Sequence, residues 1–255
     1  MAEEEMKRCP FCDEEIRASA IFCRHCKQWM PGYSYTSAVR DMVLDKQTTG
    51  RTGVDLAEIK TRQEQLKLVL AWADSDRQQS FQGFDLSIQN LSGVDLSGAD
   101  LRETDLRDVN LSGANLSGAN LSKANLFNAD LKGANLQKAD LTEAYLREAV
   151  LDQADLSNAV LLRANLRNAK MNHVTLYRVD LEGANLKAAD LREANLRESY
   201  LRETDLALTK MEGAIFTGAL FIRANLTNSD ITAFQYKRAR TLEETIMPNG
   251  RVYGE

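Results

Sequence analysis

From Leu86 to Ile231 a bulky apolar residue stands at every fifth position, thirty times without an insertion. Twenty-five of these centres are Leu; the others are Met171, Met211, Phe216, Phe221 and Ile231. Two residues before the centre stands Ala in nineteen units, and one residue before it stands Asp or Asn in twenty-one. A five-residue step rotates an α-helix by about 500°, a net turn of about 140°, so the centres would spiral round the axis and form no stripe. In a flat strand an odd step sends alternate centres to opposite faces. A chain that turns inward by the same angle after each unit buries all thirty. The centre and the small residue two before it then point to the axis, and the last two residues of the unit form a corner. Gly93, Gly98, Gly113, Gly118 and Gly133 occupy such corners, where a residue with a permissive backbone is expected.

Units such as Ala114-Asn115-Leu116 and Ala139-Asp140-Leu141 resemble those of pentapeptide-repeat proteins, over residues 81–235. The resemblance implies an all-β fold: a right-handed quadrilateral β-helix with four units per coil. About seven and a half coils would stack into a solenoid roughly 35 Å long at the spacing of paired strands. Each coil of such a stack meets mainly its neighbours, so both ends need covering.

Segments on either side supply candidates for that cover. Within 54–80, Leu56, Ile59, Gln63, Leu66, Leu70 and Ala73 recur at spacings of three and four, the signature of an amphipathic α-helix. This helix either caps the first coil or pairs with a second chain as a short coiled coil; the short run and the polar Gln63 favour the cap. Beyond Ile231 the pattern decays. Thr241 to Ile246 suits a helical turn and Pro248-Asn249-Gly250 a reverse turn, so 236–255 reads as a C-terminal cap or tail. Residues 31–53 carry Gly, Ser, Thr and Tyr without a period and read as a linker.

All four cysteines fall within the first 26 residues, as Cys9-x-x-Cys12 and Cys23-x-x-Cys26. Two such hooks present four thiolates to one tetrahedral Zn²⁺. Residues 1–30 are too few for an adequate core, so the metal would supply most of their folding energy. Cys9-Pro10-Phe11-Cys12 with Glu14-Glu15-Ile16 resembles the short zinc ribbons attached to many bacterial proteins. Asp13 and Lys27 stand where such hooks often carry Gly. His25 lies between two ligands of a complete set and reads as a bystander, and a redox role for the thiols would need a thioredoxin-like context that is absent. With no open ligand position, the zinc is expected to be structural.

Charge and composition narrow the function. The chain carries a net charge of −5 and its first residues are acidic. No apolar run reaches the length a bilayer requires. A cytoplasmic protein without signal peptide or membrane partner is expected. No nucleophile stands beside a plausible base, and of the two histidines His173 falls at a corner; an enzyme is not expected. The first thirty residues hold six acidic and five basic side chains, which is no basic patch for nucleic acid.

The resemblance also implies a functional precedent: duplex DNA mimicry aimed at a type II topoisomerase such as DNA gyrase. That requires a continuous acidic face, whereas Arg107, Arg147, Arg167 and Lys187 share one corner column at multiples of twenty, interrupted by Phe127. A different surface stands out. Twenty residues per coil brings Val160, Leu162, Tyr200, Leu220 and Ile222 to one side of the later coils, broken by Asp180, Glu182 and Arg202. Either the tail or the middle helix packs there, or the patch receives another protein. The sequence therefore reads as a non-enzymatic interaction scaffold. Its protein partner is unidentified, a homodimer is one option, and the topoisomerase inhibitor or protector is the alternative.

Overall fold

The computed structural model describes residues 6–8, 15–17, 56–75, 77 and 79–254, and the chain divides into two compact units, Met1–Thr61 and Arg62–Glu255. In the first unit β1 (Met6–Arg8) pairs antiparallel with β2 (Glu15–Arg17), Met6 opposite Arg17 and Arg8 opposite Glu15. Helix α1 (Leu56–Leu70) runs across the division and is followed by a 3₁₀ turn, Trp72–Asp74. The linker at 31–53 lies outside the described residues.

The second unit is a stack of coils. Parallel bridges join residues twenty apart, from Ser80 with Asp100 through Asp205 with Asn225, so four five-residue units make one coil. The strands are single-residue bridges rather than extended runs. Each is flanked by a regular hydrogen-bond set: the Leu86 amide donates to the Asp105 carbonyl (2.8 Å), the Asp105 amide to the Phe84 carbonyl (2.8 Å), and the Ile88 amide to the Arg107 carbonyl (2.8 Å). All thirty centres are buried, together with the Ala, Val, Ser or Thr two residues before most of them. Thr104 is accepted in that inward row because its hydroxyl donates to the Leu101 carbonyl at 2.7 Å, which satisfies a buried polar group.

The corner explains the remaining sequence preferences. After nearly every centre the chain reverses through two residues, and the amide three positions on returns to the centre's carbonyl, as Ala114 does to Leu111 at 3.0 Å. The second corner residue has positive φ in every unit from Leu86 to Leu226: Gly113 at 65°, but also Glu103 at 57° and Lys123 at 59°. This is the requirement of a type II turn at its third residue. The Asp or Asn before the centre accepts the amide two residues on, as Asp130 does from Lys132 (3.0 Å) and Asn120 from Ser122 (3.0 Å). Those carboxylates are turn-forming groups.

Both ends of the stack are covered by the chain. Val69 and Trp72 are buried, and Leu66 is partly buried against the same core. The Trp72 ring meets Phe81 edge-on at 5.2 Å and its Nε1–H donates to the Ser97 carbonyl (3.3 Å). Gln65 accepts the Asp85 amide (3.0 Å) and Arg62 pairs with Asp85. The buried face is thus Leu66–Val69–Trp72, whereas the spacing predicts Leu66–Leu70–Ala73; Leu70 and Ala73 are exposed. Trp72 follows the α-helical segment in a 3₁₀ turn, so the α-helical period places it on the wrong side.

The other end differs from expectation as well. A short helix, α2 (Ala233–Tyr236), is closed by a capping box between Thr232 and Gln235. Thr241 to Ile246 is no helical turn: Thr241 bridges Leu220 and Ile246 bridges Asn225, with Leu242 and Met247 buried as further centres. The bridge offset is one residue longer than elsewhere, so the repeat resumes out of register with the five-residue count.

Candidate interaction surface

Every outward column of the stack is a row of residues from successive coils, so the surface can be built from the ladder. Val160 bridges Asp180, Asp180 bridges Tyr200, and Tyr200 bridges Leu220. In the adjoining corner, carbonyls of Leu162, Glu182, Arg202 and Ile222 accept amides from Glu143, Arg163, Gly183 and Glu203 at 2.8–2.9 Å, which stacks those four residues in a row. The structure therefore brings Val160, Leu162, Tyr200, Leu220 and Ile222 onto one side. Tyr200 is 50% exposed, and the other four are half-buried. Tyr200, Leu220 and Val160 stand where most units use Asp or Asn to hold the corner, and give up that hydrogen bond for apolar surface.

Thr241 extends the Val160–Leu220 column by pairing on Leu220, and the helix-side contacts of Arg62, Gln65 and Trp72 reach Asp85 and Ser97 in the first coil. The two arginines beside the patch are paired. Arg202 lies 3.8 Å from Glu182 and 3.7 Å from Glu203, and Arg223 pairs with Glu244 at 2.7 Å.

The basic column is present, and two of its four cations are paired. Amide-to-carbonyl links from Asp108 to Phe127, Asn128 to Arg147, Glu148 to Arg167 and Asn168 to Lys187 stack Phe127, Arg147, Arg167 and Lys187. Arg107 binds Asp105 and Arg147 binds Glu148 (3.0 Å). Phe127 stacks on Tyr145 with centroids 6.3 Å apart. Elsewhere the hydrogen bonds from Arg102 and Arg192 hold the Asp100 and Asp190 carboxyls below the usual carboxylate range. These are corner contacts between residues two apart.

Cys9, Cys12, Cys23 and Cys26 lie outside the described residues. Among the described residues no group of His, Cys, Asp and Glu could hold a metal ion, and no helix is long and apolar enough to cross a membrane.

Residues 77–233 match the family described as Pentapeptide repeats, in eight overlapping copies. The chain belongs to that family. Among solved structures this pentapeptide-repeat protein is similar to HetL, a pentapeptide repeat protein involved in heterocyst differentiation regulation from the cyanobacterium Nostoc sp. strain PCC 7120. The two share 32% identity over 72% of this chain and 96% of HetL, with a TM-score of 0.29. It is also similar to QnrB1, a plasmid-mediated fluoroquinolone resistance protein, at 16% identity over 66% of this chain and 91% of that one, with a TM-score of 0.49. A pentapeptide repeat protein from the thylakoid lumen of Arabidopsis thaliana shares 27% identity over 58% of this chain and 72% of its own, with a TM-score of 0.25. No curated protein matches the chain.

The five-residue pattern does not show what the chain builds beyond its last full coil. Between Ile231 and Leu242 the extra residue and α2 open a cleft against the last full coil, lined in part by Ile215, Phe216 and Phe234. The only trace in the sequence is the loss of the five-residue count.

Proposed function

We propose that this protein is a non-enzymatic interaction scaffold: a rigid pentapeptide-repeat rod that presents the face of Val160, Leu162, Tyr200, Leu220 and Ile222 to another protein, with a zinc ribbon at its amino-terminal side. The half-exposed Tyr200, bordered on the same side by Leu220 and Ile222, carries this reading. Aromatic residues are over-represented at the centres of protein interfaces. A homodimer would bury the same face by symmetry. The ribbon is proposed to hold one structural Zn²⁺ through Cys9, Cys12, Cys23 and Cys26, and the location is proposed to be cytoplasmic.

The test is the double substitution Leu162→Asp with Leu220→Asp. It is expected to leave the circular dichroism spectrum unchanged and to weaken self-association or recovery of a partner at least tenfold. Unchanged self-association together with unchanged recovery refutes the scaffold face. Duplex mimicry of a type II topoisomerase substrate is the competing reading. The column of Arg107, Arg147, Arg167 and Lys187 weighs against it. A gyrase supercoiling assay with titrated protein separates the two: inhibition or protection at micromolar protein would favour mimicry.

A further inference from the structure

Each coil donates two amides per unit to the next coil: that of the centre and that of the positive-φ residue two further on. Leu191 and Glu193 donate to the carbonyls of Lys210 and Glu212, and Leu196 and Glu198 to those of Ile215 and Thr217. One coil later the corresponding donors are Met211, Gly213, Phe216 and Gly218. The Met211 amide donates to the Asp230 carboxylate and the Gly218 amide to the Arg238 carbonyl (3.0 Å). The amides of Gly213 and Phe216 have no acceptor among the described residues.

The cause is the change of register. Where the next coil would run, the chain turns into α2, and the side-chain amide of Gln235 takes over the carbonyls of Met211 (2.6 Å) and Ala214 (3.0 Å). Gln235 thus replaces the strand on its donor side and leaves the acceptor side vacant. A cleft of about 470 Å³ lies here, lined by Ile215, Phe216 and Phe234 and edged by Glu212, Asp230 and Arg238. That volume falls in the range of a ligand site, about 300–1,000 Å³. Phe234 is 69% exposed and its ring already stacks under the Arg238 guanidinium at 4.1 Å. The Glu193 carboxylate presses against Gly213, where an added Cβ would collide with it. Glu193, Glu212 and Asp230 stand against Arg238 and, beside Glu212, Arg192, which leaves the rim with an excess of one carboxylate.

We propose that this cleft takes an extended, Lys- or Arg-bearing segment of a partner protein, which pairs with the end of the stack as an acceptor only, because Gln235 keeps the Ala214 carbonyl between the two open amides. Two of its carbonyls accept the Gly213 and Phe216 amides. An apolar side chain between them packs on Ile215 and Phe234, and its cationic side chains face Glu193 and Glu212. Main-chain pairing supplies the affinity and the pocket with its charged rim the selectivity, as in strand-addition complexes. The site is separate from the Val160–Ile222 face, and its test does not depend on that face.

Full-length protein labelled with ¹⁵N would be titrated with the capped peptide Lys-Val-Lys-Val-Lys and, separately, with Glu-Val-Glu-Val-Glu. The expected result is that the lysine peptide shifts the Gly213 and Phe216 amide resonances and slows their solvent exchange at least tenfold, while the glutamate peptide moves neither. Glu212→Lys, at an exposed corner, and Phe234→Ala are each expected to weaken binding at least fivefold with the remaining rod amides unmoved. Silence of both amides at millimolar lysine peptide overturns the proposal, as does an equal response to the glutamate peptide. Peptide-independent, concentration-dependent shifts of these two amides that disappear in Phe234→Ala would assign the cleft to a second copy of the chain and overturn it too.

Discussion

Ile88 shows what one side chain costs this backbone. The second corner residue is held at positive φ whatever its identity, and Ile88 sits there at 65° with a branched Cβ and 44% of its surface exposed. The left-handed region penalises an L side chain by about 1–2 kcal/mol, most for branched ones. Gly83 and Gly93 hold the equivalent place in the units before and after it, at 71° and 67°. Ile88→Gly is expected to raise the unfolding free energy by about 1 kcal/mol, after the entropy cost of Gly, in urea titrations. Charged corners respond to pH in a direction fixed by their contacts. Asp100 and Asp190 titrate lower in the folded protein because of Arg102 and Arg192. Their contribution is therefore complete above the ordinary Asp value of about 3.9 and is lost as pH falls through the lower folded values. Stability against urea should be level from neutral pH to about pH 5 and decline below about pH 4. Asp100→Asn with Asp190→Asn should flatten that decline.

The covering segment at the start of the stack is where an element decides stability. Trp72 is 2% exposed and closes the first coil through Phe81 and the Ser97 carbonyl. Trp72→Ala removes a large buried ring and should cost about 3–5 kcal/mol. Because a solenoid is coupled mainly between neighbours, the loss should be local. Hydrogen exchange should accelerate at the Phe81, Leu86 and Leu91 amides and stay slow at Leu146 and Leu166; uniform acceleration along the rod would refute the local model. The helix itself was legible as an element from its three-and-four spacing. Its buried face was not, because the anchoring Trp72 lies past the last α-helical residue, in a 3₁₀ turn with a different angular step.

Taken as a molecule, the chain joins two parts with different sources of stability. The coil stack is held by an apolar column and ladder hydrogen bonds, whereas residues 1–30 depend, on the reading proposed here, on one metal ion. Elemental analysis should therefore find one zinc per chain, lost in Cys23→Ser. Removing the metal with a chelator should leave the thermal transition of the rod in place. Loss of the rod signal on chelation would contradict that division.

The five-residue period by itself determined the inward rows, and together with the four units per coil that the family resemblance implies it determined every outward column. An uninterrupted count fixes the angular position of each residue once the coil length is known. That is why Val160, Leu162, Tyr200, Leu220 and Ile222 could be grouped from the sequence, and why the ladder brings them together. Tertiary structure alone decided the two ends. Which face of α1 meets the first coil depends on a 3₁₀ turn, and the one-residue slip before Thr241 depends on how α2 packs over Met211 and Ala214. Periodicity carries information only while it persists. Where the count breaks, packing and unpaired backbone groups choose the path of the chain.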